Sequence, residues 1–136
     1  MIAYLKALFI MLKAHRGQKD KGGHPYFLHP LRVALGVEGK DARIVALLHD
    51  VVEDSDYTFS DLGFLSKSQR EALEILTHDK EVAYFDYIQT VKNNRIAREV
   101  KKSDLRQNMD LSRLSAVTEK DRLRRQKYKA AYEMLN

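Results

Sequence analysis

Apolar residues along the chain recur mostly three and four positions apart, and the every-other-residue alternation of a half-buried strand is scarce. Only two prolines and six glycines interrupt the pattern. The spacing therefore predicts an all-α protein without strands, folded as one compact domain over residues 1–136. A first helix is expected from about Ile2 to His15, with Leu5, Leu8, Phe9 and Leu12 on its buried face. It should end before the Lys21-Gly22-Gly23 loop. Pro30 holds His29 extended and suits a first helical turn, so His29 marks a helix entrance, and Gly36 and Gly39 close that helix. Asp41 is read as the N-cap of a third helix from about Ala42 to Asp54. Thr58 with Asp61, and Ser68 with Glu71, have capping-box spacing. Further helices are predicted at about 68–77, 83–92, 94–109 and 121–135.

The third predicted helix carries most of the chemistry. At about 100° per residue with His49 at zero, Glu53, Asp50 and Asp54 fall within about 140° on one side, while Ile44, Val45, Leu47, Leu48, Val51 and Val52 fall opposite. A solvated acidic face partly neutralised by Arg43 is the plain interpretation. Three acids and a histidine beside a single cation nevertheless repel one another, and adjacent His49-Asp50 offers the imidazole and carboxylate that divalent first-row metals accept. In the helix near 94–109, Asp104 falls within the apolar stripe of Ile96, Ala97 and Val100. An inward carboxylate needs a cation or several donors. A core Arg or Lys would serve as well as a metal, and the spacing alone leaves both open.

Composition narrows the options. No cysteine is present, which excludes disulfides and thiolate metal sites. Lys and Arg total 24 against 19 acids, a net charge of +5 that attracts anions such as nucleotides, polyphosphates or nucleic acid. The apolar stretch Met1–Leu12 is broken by Lys6 and followed by no small-residue cleavage site, so a soluble cytoplasmic protein without membrane association is expected. His15 is expected to pack, His24 to lie exposed, and His78 is a candidate to touch substrate. Arg122, Arg124, Arg125, Lys127 and Lys129 are read as the solvated face of a last helix that turns Leu123, Ala130, Ala131 and Met134 inward.

Three segments occur in order: Ala14-His15-Arg16-Gly17-Gln18, Pro25-Tyr26-Phe27-Leu28-His29-Pro30 and Ala46-Leu47-Leu48-His49-Asp50-Val51-Val52-Glu53-Asp54. Together with Ser103-Asp104 and Asn108, they resemble the successive motifs of the hydrolase domain in the RelA/SpoT family and its small single-domain alarmone hydrolases. The resemblance covers roughly residues 1 to 115. It implies an HD-type helical domain in which His29, His49, Asp50 and Asp104 hold one divalent metal, usually Mn2+. It further implies that Glu53 and Asp54 are the catalytic carboxylates, that Asn108 contacts the nucleotide, and that Lys19 and Lys21 line its site. The implied reaction is hydrolysis of (p)ppGpp at the 3′-pyrophosphate, releasing pyrophosphate and GDP or GTP. Two departures stand out: Asp20 interrupts the basic stretch, and Leu105-Arg106-Gln107 replaces the Lys-Leu-Tyr found between the aspartate and asparagine of relatives. Hydrolysis of another nucleotide, such as the adenine alarmone ppApp, keeps the same metal core. A non-catalytic module binding nucleic acid or a partner protein is the lesser alternative, because it has no need of Glu53 and Asp54 beside the metal residues.

Overall fold

A computed structural model describes all residues from 1 to 136. It is all-α: α1 (Ile2–Ala14), α2 (Leu28–Leu35), α3 (Lys40–Leu48), α4 (Val51–Asp54), a 3-10 turn (Phe59–Leu62), α5 (Lys67–Leu76), α6 (Tyr84–Lys92), α7 (Arg95–Met109) and α8 (Glu119–Leu135). Helix α3 is buried at Ala42 and at every residue from Ile44 to Leu48. A helix apolar on nearly all sides belongs in the middle, and α3 packs against α1, α2, α5 and α7. Helix α8 closes the other side over α6 and α7. The core extends through Met11, Val33, Leu48, Leu73, Ile88, Val100 and Leu135. No helix is long and apolar enough to cross a membrane.

Several expectations about the helices are corrected. The helix predicted from Ala42 to Asp54 starts earlier, at Lys40 behind Gly39, and stops at Leu48. Gly39 adopts φ +90°, a conformation glycine reaches without strain, and Asp41 accepts a hydrogen bond from Gln69 Nε2. The break at His49-Asp50 arises because the His49 ring takes the Ala46 carbonyl through Nδ1 at 2.6 Å, in competition with the next backbone amide. Arg43 donates to the Val37 carbonyl and does not neutralise the acids. Helix α5 is capped by Ser66 and Gln69, two residues ahead of the expected Ser68 and Glu71. The box at Thr58 and Asp61 is present, and another at Thr118 and Asp121 starts α8.

Two further corrections concern which faces are buried. Helix α1 packs through Ala7 and Met11, with Tyr4 and Ala14 half-buried, and leaves Leu5, Phe9 and Leu12 exposed. The inward face thus combines Ala7 and Ala14 with Met11 and Tyr4, and Leu5, Phe9 and Leu12 turn outward. Helix α8 turns Asp121, Ala131 and Leu135 inward, while Leu123 is exposed and Ala130 is also on the outside.

Candidate active site and metal centre

Two helices and the break between α3 and α4 converge on one point. His29 enters from the first turn of α2, His49 and Asp50 from the break, and Asp104 from the middle of α7. One ligand atom each from His29, His49 and Asp104 lies within 4.8 Å of the other two. His29 Nε2 is 2.8 Å from Asp104 Oδ1, and His49 Nε2 is 3.4 Å from the same oxygen. Asp50 Oδ2 lies 3.1 Å from His49 Nε2 and 3.9 Å from His29 Nε2. Atoms bound about 2.0–2.2 Å from one first-row ion stand at such separations. His49 supplies the decisive test of fit. Its Nδ1–H is committed to the Ala46 carbonyl, which leaves Nε2 as the electron-pair donor. That nitrogen is buried and without a hydrogen-bond partner, with carboxylate oxygens of Asp50 and Asp104 at 3.1 and 3.4 Å. Two imidazoles and two carboxylates are a donor set suited to a divalent cation.

The surrounding groups hold the carboxylates ionised. Burial opposes a charge on Asp104, but Lys101 and the two histidines hold its carboxyl well below the usual range. Lys101 Nζ donates to Oδ2 at 2.9 Å, and Asn108 Nδ2 donates to Oδ1 at 3.0 Å. Both partners considered for an inward Asp104 are therefore accommodated, a lysine on one oxygen and the ligand group on the other. Burial likewise opposes ionisation of Asp50, and His49 more than offsets it. The Tyr26 hydroxyl donates to Asp50 Oδ2 at 2.5 Å.

Glu53 faces the same inner pocket, where its Oε1 accepts the His78 backbone N–H at 2.5 Å. Burial and then Asp50 raise its pKa, despite the opposing hydrogen bond from His78. Asp54 sits at the end of α4 with its carboxyl also raised, first by burial and then by Asp50. The Gln18 side chain donates to the Asp54 carbonyl at 2.9 Å and meets buried His15 Nδ1 at 2.9 Å. The segment after α1 thus fixes the far end of α4. His24 is exposed, as expected.

The inner pocket, about 180 Å³, adjoins an outer cleft of about 330 Å³, and Asn108 and Tyr128 line both. Lys19, Lys21 and Asn108 all line the outer cleft, so the structure brings the three expected substrate residues together. Asp20, which breaks the basic stretch, accepts the Gly22 and His24 amides at 2.9 Å each and thereby shapes the loop that presents both lysines. The departing Leu105-Arg106-Gln107 segment does not line the cleft. Leu105 is in the core, and Arg106 donates to the Gly36 carbonyl and the Tyr132 hydroxyl.

No protein-family model matches the chain. Among curated relatives, RSH1 of Oryza sativa, a chloroplastic protein named as a GTP diphosphokinase, is 34% identical over 106 residues, 74% of this chain. The bifunctional (p)ppGpp synthase/hydrolase SpoT of Escherichia coli is 39% identical over 74 residues, 51% of this chain. The guanosine-3′,5′-bis(diphosphate) 3′-pyrophosphohydrolase of Aquifex aeolicus is 48% identical over 52 residues, 35% of this chain. The matched region spans only about a tenth of these relatives, 12%, 10% and 8% of their lengths. A solved structure described as a metazoan ortholog of SpoT that hydrolyzes ppGpp superposes with a TM-score of 0.75 at 24% identity, over 99% of this chain and 84% of that one. This is the HD fold of the RelA/SpoT hydrolases. Within the RelA/SpoT-type fold, the cleft and pocket residues that escaped the sequence reading include Tyr26, Lys101, Arg113, Arg124 and Tyr128. Lys101 was discoverable as the residue three positions before Asp104 on one helix face. Arg124 and Tyr128 were hidden in a run whose charges look solvated, although Arg124 pairs with Asp121 and faces the cleft.

Proposed function

We propose that this chain is a metal-dependent hydrolase of guanosine alarmones, cleaving the 3′-pyrophosphate of (p)ppGpp to give pyrophosphate and GDP or GTP. The observation that carries the proposal is the partnerless His49 Nε2, aimed into a two-His, two-Asp group at the inner end of a cation-lined cleft. The names of the relatives supply the substrate class. His29, His49, Asp50 and Asp104 would hold one ion, proposed to be Mn2+, which when bound supplies Lewis-acid activation of water and phosphate oxygen. The chain folds as a single domain and is proposed to act in the cytoplasm.

The residues divide the remaining work. Water adds to the phosphorus bonded to the ribose 3′-oxygen, the P–O3′ bond breaks, and the departing oxygen takes a proton. Glu53 and Asp54, with pKa values raised by burial, manage the protons at the water and the leaving oxygen. Lys19, Lys21, Arg113 and Arg124 around the outer cleft hold the polyphosphate by charge, and Asn108 orients the nucleotide at the wall between the two cavities. Manganese-loaded protein should release pyrophosphate from ppGpp and leave ordinary nucleoside triphosphates intact, with products resolved by anion-exchange chromatography. Preferential cleavage of ppApp would transfer the reading to adenine alarmones, and inertness toward both would remove it.

A further inference from the structure

Helix α1 has two apolar faces, and only one is used. Tyr4, Ala7, Met11 and Ala14 pack against the domain, whereas Ile2, Leu5, Phe9 and Leu12 point outward and are 70%, 59%, 64% and 41% exposed. The outward four are spaced three, four and three positions apart, which is the a and d spacing of a seam between two helices. A helix apolar on both sides is built to be covered on both, and at 13 residues α1 does not span a bilayer. We propose that this seam pairs with the same seam of a second copy, the two α1 helices running antiparallel across a two-fold axis at the level of residue 7. The spacing of the four seam positions is symmetric about that level. Ile2 falls opposite Leu12 of the second copy and Leu5 opposite Phe9, so every seam position meets an apolar one. A two-fold interface requires this self-complementarity.

The area suffices. The exposed portions of the four side chains amount to roughly 500 Å² per copy, or about 1,000 Å² for the pair, the level a specific interface needs. Leu8 and the stems of Lys6 and Lys13 widen it further. Charge opposes the pairing. Helix α1 contains no acid, and Lys6 lies on the flank of the seam near its counterpart across the axis. This repulsion between exposed ammonium groups is screened by salt, while apolar burial is not weakened by it. The dimer therefore tightens as ionic strength rises. Attachment of the same face to an acidic membrane or an acidic partner would loosen instead.

Sedimentation velocity across a concentration series should show a species of twice the monomer mass, whose population grows with salt. Leu5→Gln/Phe9→Gln should leave a monomer with unchanged helical circular dichroism, since both positions are exposed. The chain has no cysteine, so disulfide trapping reports geometry cleanly. Ile2→Cys mixed with Leu12→Cys should cross-link under mild oxidation. Ile2→Cys alone should not, because in the antiparallel pair those positions stand about 15 Å apart along the axis. A monomer at every concentration and salt level would overturn the proposal. So would a dimer that survives the double glutamine variant, cross-linking of Ile2→Cys with itself, or a monomer that instead binds phosphatidylglycerol vesicles through this face.

Discussion

Asp104 divides its two oxygens between different tasks, and that division decides how the centre behaves without its ion. Oδ2 is held by Lys101, while Oδ1 faces His29, His49 and Asn108. The ammonium keeps Asp104 ionised when no metal is bound, and Tyr26 does a related service for Asp50 by hydrogen bonding. Replacing Lys101 with Met removes one member of a buried pair, and the metal-free protein should lose about 3 kcal/mol of stability. Manganese should restore much of this loss, because the ion supplies the missing positive charge. Denaturant melts with and without chelator would measure it, and an equal loss in both conditions would mean that Lys101 acts through packing alone. His49→Ala and Asp104→Ala should fold and lose the ion in elemental analysis. Glu53→Gln and Asp54→Asn should instead keep the ion and lose about a hundredfold or more in turnover, the scale of a removed proton donor or acceptor. Undiminished turnover in both would take these carboxylates out of the reaction.

At the scale of elements, the relative placement of α2 and α7 sets the distance between His29 and Asp104. Ser103, next to Asp104, donates its hydroxyl to the Val33 carbonyl of α2 at 2.8 Å. A Cβ at Gly36 would run into that hydroxyl. Gly36→Ala should therefore push α2 and α7 apart and weaken metal affinity, read by titration, more than it changes the helical content of the fold. A variant with wild-type metal affinity would show that the Ser103 side chain rotates away at no cost. Much at this scale was legible in the sequence. Helices α6 and α7 were placed within a residue, and α8 within two, because apolar spacing marks all three, with polar caps at Asn94 and Thr118 before the last two. The break at His49-Asp50 was not legible, because it depends on a side chain capturing a carbonyl within a sequence that reads as continuous helix. The inward face of α1 was also misread. Hydrophobicity ranks Leu5 and Phe9 above Ala7, yet the rotation of α1 turns Ala7 and Met11 to the core. His29, His49, Asp50 and Asp104 were nameable from motifs, whereas Arg124 and Tyr128 reach the cleft only through the docking of α8 over α6 and α7.

For the whole molecule the net charge is +5, and Lys19, Lys21, Arg113 and Arg124 line the outer cleft beside Asp20, Asp110 and Asp121, while Asp50, Glu53 and Asp104 line the inner pocket with Lys101. A polyphosphate is drawn to the former before it meets the latter. Lys19→Ala/Lys21→Ala should raise KM for an alarmone more than it lowers kcat, with the difference shrinking as salt screens the charges. An unaltered KM at low salt would assign both lysines to loop solubility. The arrangement of the ligand residues also bears on how the chain reaches its native state. His29 and Asp104 lie 75 positions apart, and they meet only when α7 has docked against α2 and α3. A chain that has formed its N-terminal helices alone offers three of the four donors and an open side. Tight ion capture thus belongs to the last stage of assembly. A metal held there would act as a latch that slows escape from the finished fold and leaves the earlier search, dominated by closing that long loop, to proceed at its own pace.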